Sequence, residues 1–201
     1  TYPSGVPDAD LRKLERDAHG GDADAQARLL AERVRRGLLQ PERQRVAALL
    51  GVGDDGTASL TGWAWLAALA KAGPEAGLRT ALAGAAHVQP VWERGTPEDD
   101  RFAVGLAACE AWLLRPNADS RRIAVEAALQ LPDPSPISYP PNRAARALRF
   151  VGRAIEADGE EKRLPLLLDG LRFAHQTSTS NDLRAAIIGA LLPWACGDIT
   201  S

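Results

Sequence analysis

The chain has 201 residues, 45% of them hydrophobic and 25% charged, with 24 basic side chains against 26 acidic ones. That is enough for one sizeable core or two small ones, and a formal charge of -2 argues against a nucleic-acid-coating protein or an acidic tail. Aromatic residues amount to 5% and mean hydropathy is -0.20, which argues against a membrane protein.

Ala (37), Leu (27) and Arg (21, against 3 Lys) dominate, and all three are strong helix formers, so an all-α fold is expected. In chain order, helices are predicted over 8–19 and 22–36, with Gly20 and Gly21 as the break. Three further starts share one form: Gln40-Pro41-Glu42, Gly73-Pro74-Glu75 and Thr96-Pro97-Glu98. Each places proline at the first helical position and an acid in the first turn, facing the positive end of the macrodipole. Further helices are expected at 62–72, 118–131, 142–157, 165–176 and 181–195, about ten in all and no strand. Ala144, Ala147, Leu148, Val151, Ala154 and Ile155 recur at helical spacing and define one apolar face, with Arg143, Arg146, Arg149 and Arg153 opposite.

Helix pairs recur near every 40 residues without a shared signature. The expected architecture is therefore a set of stacked helical hairpins, either an irregular HEAT-like array or a compact α-bundle. The chain reads as a single domain over 1–201, with an N-terminal subdomain 1–52 packed on 60–201 as the alternative. Loops are expected at Gly51–Thr61 and at Leu131–Asn142, whose five prolines exclude helix and suit an extended crossover or a recognition segment. Small Ala side chains would let helices approach closely.

No motif carries chemistry. Gly51-Val52-Gly53-Asp54-Asp55-Gly56 spells the dinucleotide fingerprint, but a helical segment precedes it and two aspartates would repel phosphate, so it is read as a loop. Glu98, Asp99 and Asp100 are read as first-turn acids of a helix, with Mg2+ or Ca2+ ligation as the competing reading. Asp22 and Asp24 are read the same way. Cys109 and Cys196 sit in apolar helical patterns as buried thiols, and no histidine has metal-ligand spacing. No cofactor or metal is expected. No signal peptide or spanning stretch is present in these residues, so the cytoplasm is the expected location. A start at Thr-Tyr-Pro without any Met points to a trimmed or excised piece.

Candidate partner-binding residues are Trp63, Trp65, Tyr139, Arg143, Arg146, Arg149 and Arg153. Trp63 and Trp65 point about 200° apart, so one enters the core and the other is exposed or covered by a neighbour. Trp92, Trp112 and Trp194 are expected in the core. The arginine stripe lacks interleaved aromatics, so it fits a solvated face, pairing with Glu156, Glu160 and Glu161, or a protein contact better than nucleic acid.

One stretch resembles a known family. Val88-Gln89-Pro90-Val91-Trp92-Glu93, then Pro97-Glu98-Asp99-Asp100-Arg101, then Ala107-Ala108-Cys109-Glu110-Ala111-Trp112, and finally the alanine-rich Ser120 to Ala128, resemble the Imm-5-like immunity proteins of bacteria over residues 85–128. Phe102 departs from the family's proline after the arginine, and the family's His-rich downstream helices are not recognisable here. Leu11 to Gly51 resembles a short helical module attached to varied proteins of GC-rich bacteria. The resemblance implies a helical, non-catalytic domain that binds a protein partner. The expected function is therefore an immunity-like or regulatory adaptor that docks on or occludes a protein, with no nucleic acid and no membrane. A helical metal-dependent hydrolase built on Asp99 and Asp100, and a scaffold segment of a larger polypeptide, are the alternatives.

Overall fold

A computed structural model describes residues 8–20, 22–52, 60–133 and 139–196. Most of the glycine-rich motif, Gly53 to Gly56, and residues 134–138 of the proline-rich loop lie outside the described residues. Among the described residues the fold is all-α, with ten helices: α1 (Asp8–His19), α2 (Ala23–Arg35), α3 (Pro41–Leu49), α4 (Gly62–Lys71), α5 (Pro74–Gly95), α6 (Arg101–Leu114), α7 (Ala118–Leu129), α8 (Pro140–Glu156), α9 (Glu160–Thr177) and α10 (Ser180–Cys196). None is long and apolar enough to cross a membrane.

By contact, the chain groups into two units, residues 1–61 together with 188–201, and residues 62–187. The joining of the chain's end to its beginning has no counterpart in the sequence expectation.

In the first unit α2 packs against both α1 and α3. The Asp22 carboxylate accepts from the Ala25 amide at 3.0 Å and caps α2. The far ends of α2 and α3 are closed by glycine. Gly37 and Gly51 have φ of 71° and 90°. Bonds from Leu38 N to Arg33 O and from Gly37 N to Val34 O, and from Val52 N to Ala47 O and from Gly51 N to Ala48 O, complete the paired pattern that such a cap requires.

The second unit holds three helix pairs, α4–α5, α6–α7 and α8–α9, together with the first half of α10 as far as Ile187. α8 lies against α5, α6 and α7, and α9 against α4 and α5, whereas the first and second pairs meet chiefly where α5 touches α6. The third pair therefore sits between the first two. A linear array would place the pairs in chain order, so this unit is the compact bundle of the two architectures expected. The apolar face of α8 is fully enclosed: Ala144, Ala147, Leu148, Val151, Ala154 and Ile155 are all buried.

Glycines set the closeness of the helix crossings. A methyl group on Gly152 of α8 would stand 2.6 Å from the Ala128 Cβ of α7, and one on Gly170 of α9 would stand 3.1 Å from the Ala147 carbonyl oxygen of α8. Gly77 of α5 meets the Ala70 carbonyl oxygen of α4 in the same way at 2.7 Å. Ala–Gly surfaces let backbones approach and add dispersion contacts along the whole crossing.

Three boundaries differ from expectation. α6 starts at Arg101 and not at Pro97, because Thr96 closes α5: its amide and hydroxyl both donate to the Trp92 carbonyl oxygen at 2.9 Å. Glu98 and Asp99 thus precede the helix, Asp100 is its N-cap, and the Asp99 carboxylate accepts from the Arg101 amide at 3.1 Å. α8 takes in Pro140 and Pro141, whose missing amides cost nothing in a first turn. α9 begins five residues before Pro165 (165 − 160) and carries that proline inside it.

Candidate interaction surface

The arginines that sequence pattern assigns to a solvated or partner-binding face turn out to be largely engaged within the second unit. On α8, Arg143 donates to the Gln176 carbonyl oxygen at 2.9 Å, at the end of α9. Arg149 reaches the Leu129 carbonyl oxygen at 2.6 Å and also the Leu131 carbonyl oxygen, at the end of α7. Arg146 pairs with Asp133 at 2.8 Å. None of the expected pairings with Glu156, Glu160 or Glu161 is among these bonds.

Two arginines of the stripe also lie on aromatic rings, contrary to the expectation of no aromatic interleaving. Arg146 lies 5.7 Å from the Phe173 ring, Phe173 stacks on Phe150 at 5.7 Å, and Arg153 lies 5.5 Å from Phe150. The result is an Arg–Phe–Phe–Arg cluster joining α8 to α9, in which each cation meets a ring. Phe150 lies between Arg149 and Arg153 and is visible in the sequence, whereas Phe173 comes from another helix and is not. Of the stripe, only Arg153 is exposed.

The same use of arginine recurs at helix C-termini, where the last carbonyls lack partners and the dipole is negative. Arg121 of α7 donates to the carbonyl oxygens of Ile155 at 3.0 Å and Glu156 at 2.6 Å. Arg163 of α9 donates to those of Ala154 at 3.1 Å and Ala157 at 3.2 Å. Arg101 adds the Gln130 carbonyl oxygen, at 3.1 Å. In the first unit, Arg43 of α3 donates to the Trp194 carbonyl oxygen at 2.5 Å and lies 5.6 Å from its ring.

The candidate tryptophans divide as their spacing requires. Trp65 is 1% exposed with Arg184 over its ring at 4.5 Å, so a partner cannot reach it, and it is a core residue. Trp63 is half-buried against α9, with Arg172 5.6 Å and His175 6.5 Å from its ring. Trp92 is buried, and its indole N–H donates to the Asp99 carbonyl oxygen at 3.1 Å. Trp112 and Trp194 are only half-buried, short of the core positions expected for them. Tyr139, at the N-cap of α8, is 49% exposed beside Gly95.

The titratable groups are occupied in the same structural way. Glu32 is buried, and hydrogen bonds from Arg35 and Arg36 hold its carboxyl at about 2. The Arg101 guanidinium holds the Asp99 carboxyl below its ordinary value. Cys109 and Cys196 are free thiols, pushed by burial to about 12 and about 11. His87 Nε2 and Ser178 Oγ, 2.6 Å apart, form a serine–histidine pair that spacing along the chain gave no reason to expect. It ties α5 to the residue that ends α9. Among the described residues no group of three or more His, Cys, Asp or Glu side chains is placed to hold a metal, Glu98–Asp100 included.

What remains open is one face of α6. The helix is apolar nearly all round, a pattern normal for a helix enclosed on every side. Phe102, Gly105, Leu106 and Cys109 are indeed buried against α7 and its neighbours. Yet Ala103, Val104, Ala107, Ala111 and Leu114, which fall together on the opposite side, are exposed, Val104 by 51% and Leu114 by 74%. Ile123 of α7 is 50% exposed as well. Sequence pattern missed this face because a uniformly apolar helix does not say which side is outward.

Comparison of the chain with protein-family models, with curated proteins and with solved structures finds no match.

Proposed function

We propose that the chain is a non-enzymatic, partner-binding helical domain, immunity-like or adaptor in kind, that acts by docking on a protein or occluding it. The observation that carries this reading is the outward face of α6: a strip of alanine, valine and leucine left in water along a helix of 14 residues. Contiguous exposed apolar surface costs free energy in a monomer and is characteristic of interaction sites. The resemblance to bacterial immunity proteins, which covers 85–128, falls on the segment that contains this helix, and that coincidence supports the reading.

The experiment pairs the chain with the products of the genes that flank its own. A neighbour toxic to the host should be neutralised by the wild-type chain and not by Val104→Glu/Leu114→Glu. Both positions are exposed, so the double variant should stay within about 1 kcal/mol of wild-type stability. Equal protection by the folded variant would remove this face from the function.

A further inference from the structure

The exposed face of α6 has a charge pattern that identifies the kind of surface it fits. Its N-terminal end carries exposed Glu98, Asp100 and Arg101, the last paired with Asp99 and bonded to the Gln130 carbonyl oxygen, and its C-terminal end carries exposed Arg115. The outward face between these ends holds Val104, Ala107, Ala111 and Leu114, with Ala103 and Glu110 along one edge. We propose that this face binds a second copy of the same chain, with the two α6 helices antiparallel about a two-fold axis. The inference rests on the reading of this face as an interaction surface and gives it a second copy of the chain as occupant.

The geometry follows from self-complementarity. A two-fold interface brings the same patch together twice, so every feature must find its complement within that patch. Antiparallel pairing about an axis at the level of residue 109 sets Val104 against Leu114 and Ala107 against Ala111, the larger side chains outside and the small ones at the crossing. The alanines permit close approach of the backbones, as glycines do at the internal crossings. Arg115 of one copy then stands opposite Ala103 of the other, about 4.5 Å along the axis from the level of Asp100 and within reach of its carboxylate, and the two helix dipoles oppose. A parallel pairing would set acid against acid and base against base, and would align the dipoles. The face is short: 14 residues give about 21 Å of helix. The dimer is accordingly weak and concentration-dependent. Glu110, which approaches its own counterpart across the axis, weakens it further.

Sedimentation equilibrium of the whole chain, from micromolar to several hundred micromolar, tests this. Wild type should show a monomer–dimer equilibrium. Leu114→Glu should raise its dissociation constant about tenfold or more, and Glu110→Gln should lower it. Arg115→Glu alone should weaken the dimer several-fold, and adding Asp100→Arg to it should restore association, because the two ends are again complementary. A wild-type chain that stays monomeric throughout, a dimer indifferent to Leu114→Glu, or a double charge swap no better than the single one would each overturn the proposal. Failure here is separable from failure of the broader reading. A monomeric chain whose protection against a toxic neighbour still depends on Val104 and Leu114 loses the dimer and keeps the docking face, whereas a dimer with unaffected protection does the reverse.

Discussion

The crossing of α7 and α8 makes a quantitative prediction. In Gly152→Ala the new methyl stands 2.6 Å from the Ala128 Cβ, while the next atoms, Ala128 Cα and the Val125 carbonyl oxygen, are at 3.8 Å. Carbon atoms rest about 3.5–4.0 Å apart, so one contact is short by roughly 1 Å and the others are ordinary. The atom it meets is fixed to a helix backbone and cannot rotate away, so the helices must separate. Overpacking of this kind costs about 1–3 kcal/mol, and an atom that cannot yield puts it in the upper half of that range. Alanine returns about 1 kcal/mol of helix propensity, which leaves a net loss of about 1–2 kcal/mol.

Urea unfolding checks the loss directly, and thermal unfolding should show it as roughly 2–8 °C. The decisive measurement is the cycle with Ala128→Gly. That change alone costs about 1 kcal/mol of propensity and about 0.8 kcal/mol for the buried methyl. In the double variant the methyl has merely moved across the crossing. The two changes together should therefore cost well under the sum of their separate effects, by about 1.5 kcal/mol or more. Additivity within about 0.5 kcal/mol would mean that the two residues do not touch, and the packing account would be wrong.

Other expectations follow from the same structure. Gly189 of α10 is exposed with nothing within 4 Å of an added methyl, so Gly189→Ala should stabilise by about 0.5–1 kcal/mol in the same unfolding assay. Arg149→Ala deprives two carbonyls at the end of α7 of a charged donor; it should cost about 1.5–3 kcal/mol, and Arg149→Lys should recover only part of that. Glu32, held at about 2 against an ordinary value of 4.5, contributes stability that is complete above pH 4.5 and is lost as pH falls through 2. Acid titration of Glu32→Gln should accordingly show a shallower loss over that window than wild type. Cys109 and Cys196 should resist alkylation at pH 8 in the folded protein and react on addition of denaturant, since burial holds both thiols protonated.

What the sequence made legible were features decided over a few residues. The face of α8 is visible because six residues at helical spacing must share a side, and the break between α1 and α2 because paired glycines interrupt the pattern. The arginines were opaque for the opposite reason. Arg149 meets carbonyls 18 and 20 residues away, and Arg43 one 151 residues away. A backbone carbonyl leaves no mark in sequence, so a stripe of arginines used in capping looks the same as one awaiting a ligand. Trp63 and Trp65 are intermediate: the helical wheel separates them, and only packing decides that Trp65 is the buried one. Pro97 misled because its neighbour Thr96 bonds backward, to the Trp92 carbonyl oxygen of α5.

The preference for arginine over lysine, 21 against 3, then has a structural meaning. A lysine ammonium is a compact charge, whereas the guanidinium fork offers several donors in one plane and an apolar face for stacking. Arg121 and Arg163 each bind two carbonyls of one helix end, and Arg146 combines an ion pair with a ring contact. Such side chains stiffen the junctions of a bundle whose crossings, lined by alanine and glycine, offer little side-chain interlock of their own. This division of labour accounts for α6. Its buried side follows the small-residue packing of the other helices, but Val104 and Leu114 on its outer side serve no crossing, and no arginine stripe covers them. Replacing both with polar residues should cost the fold almost nothing, so any loss of association in such a variant would report on a contact at this face and not on the fold.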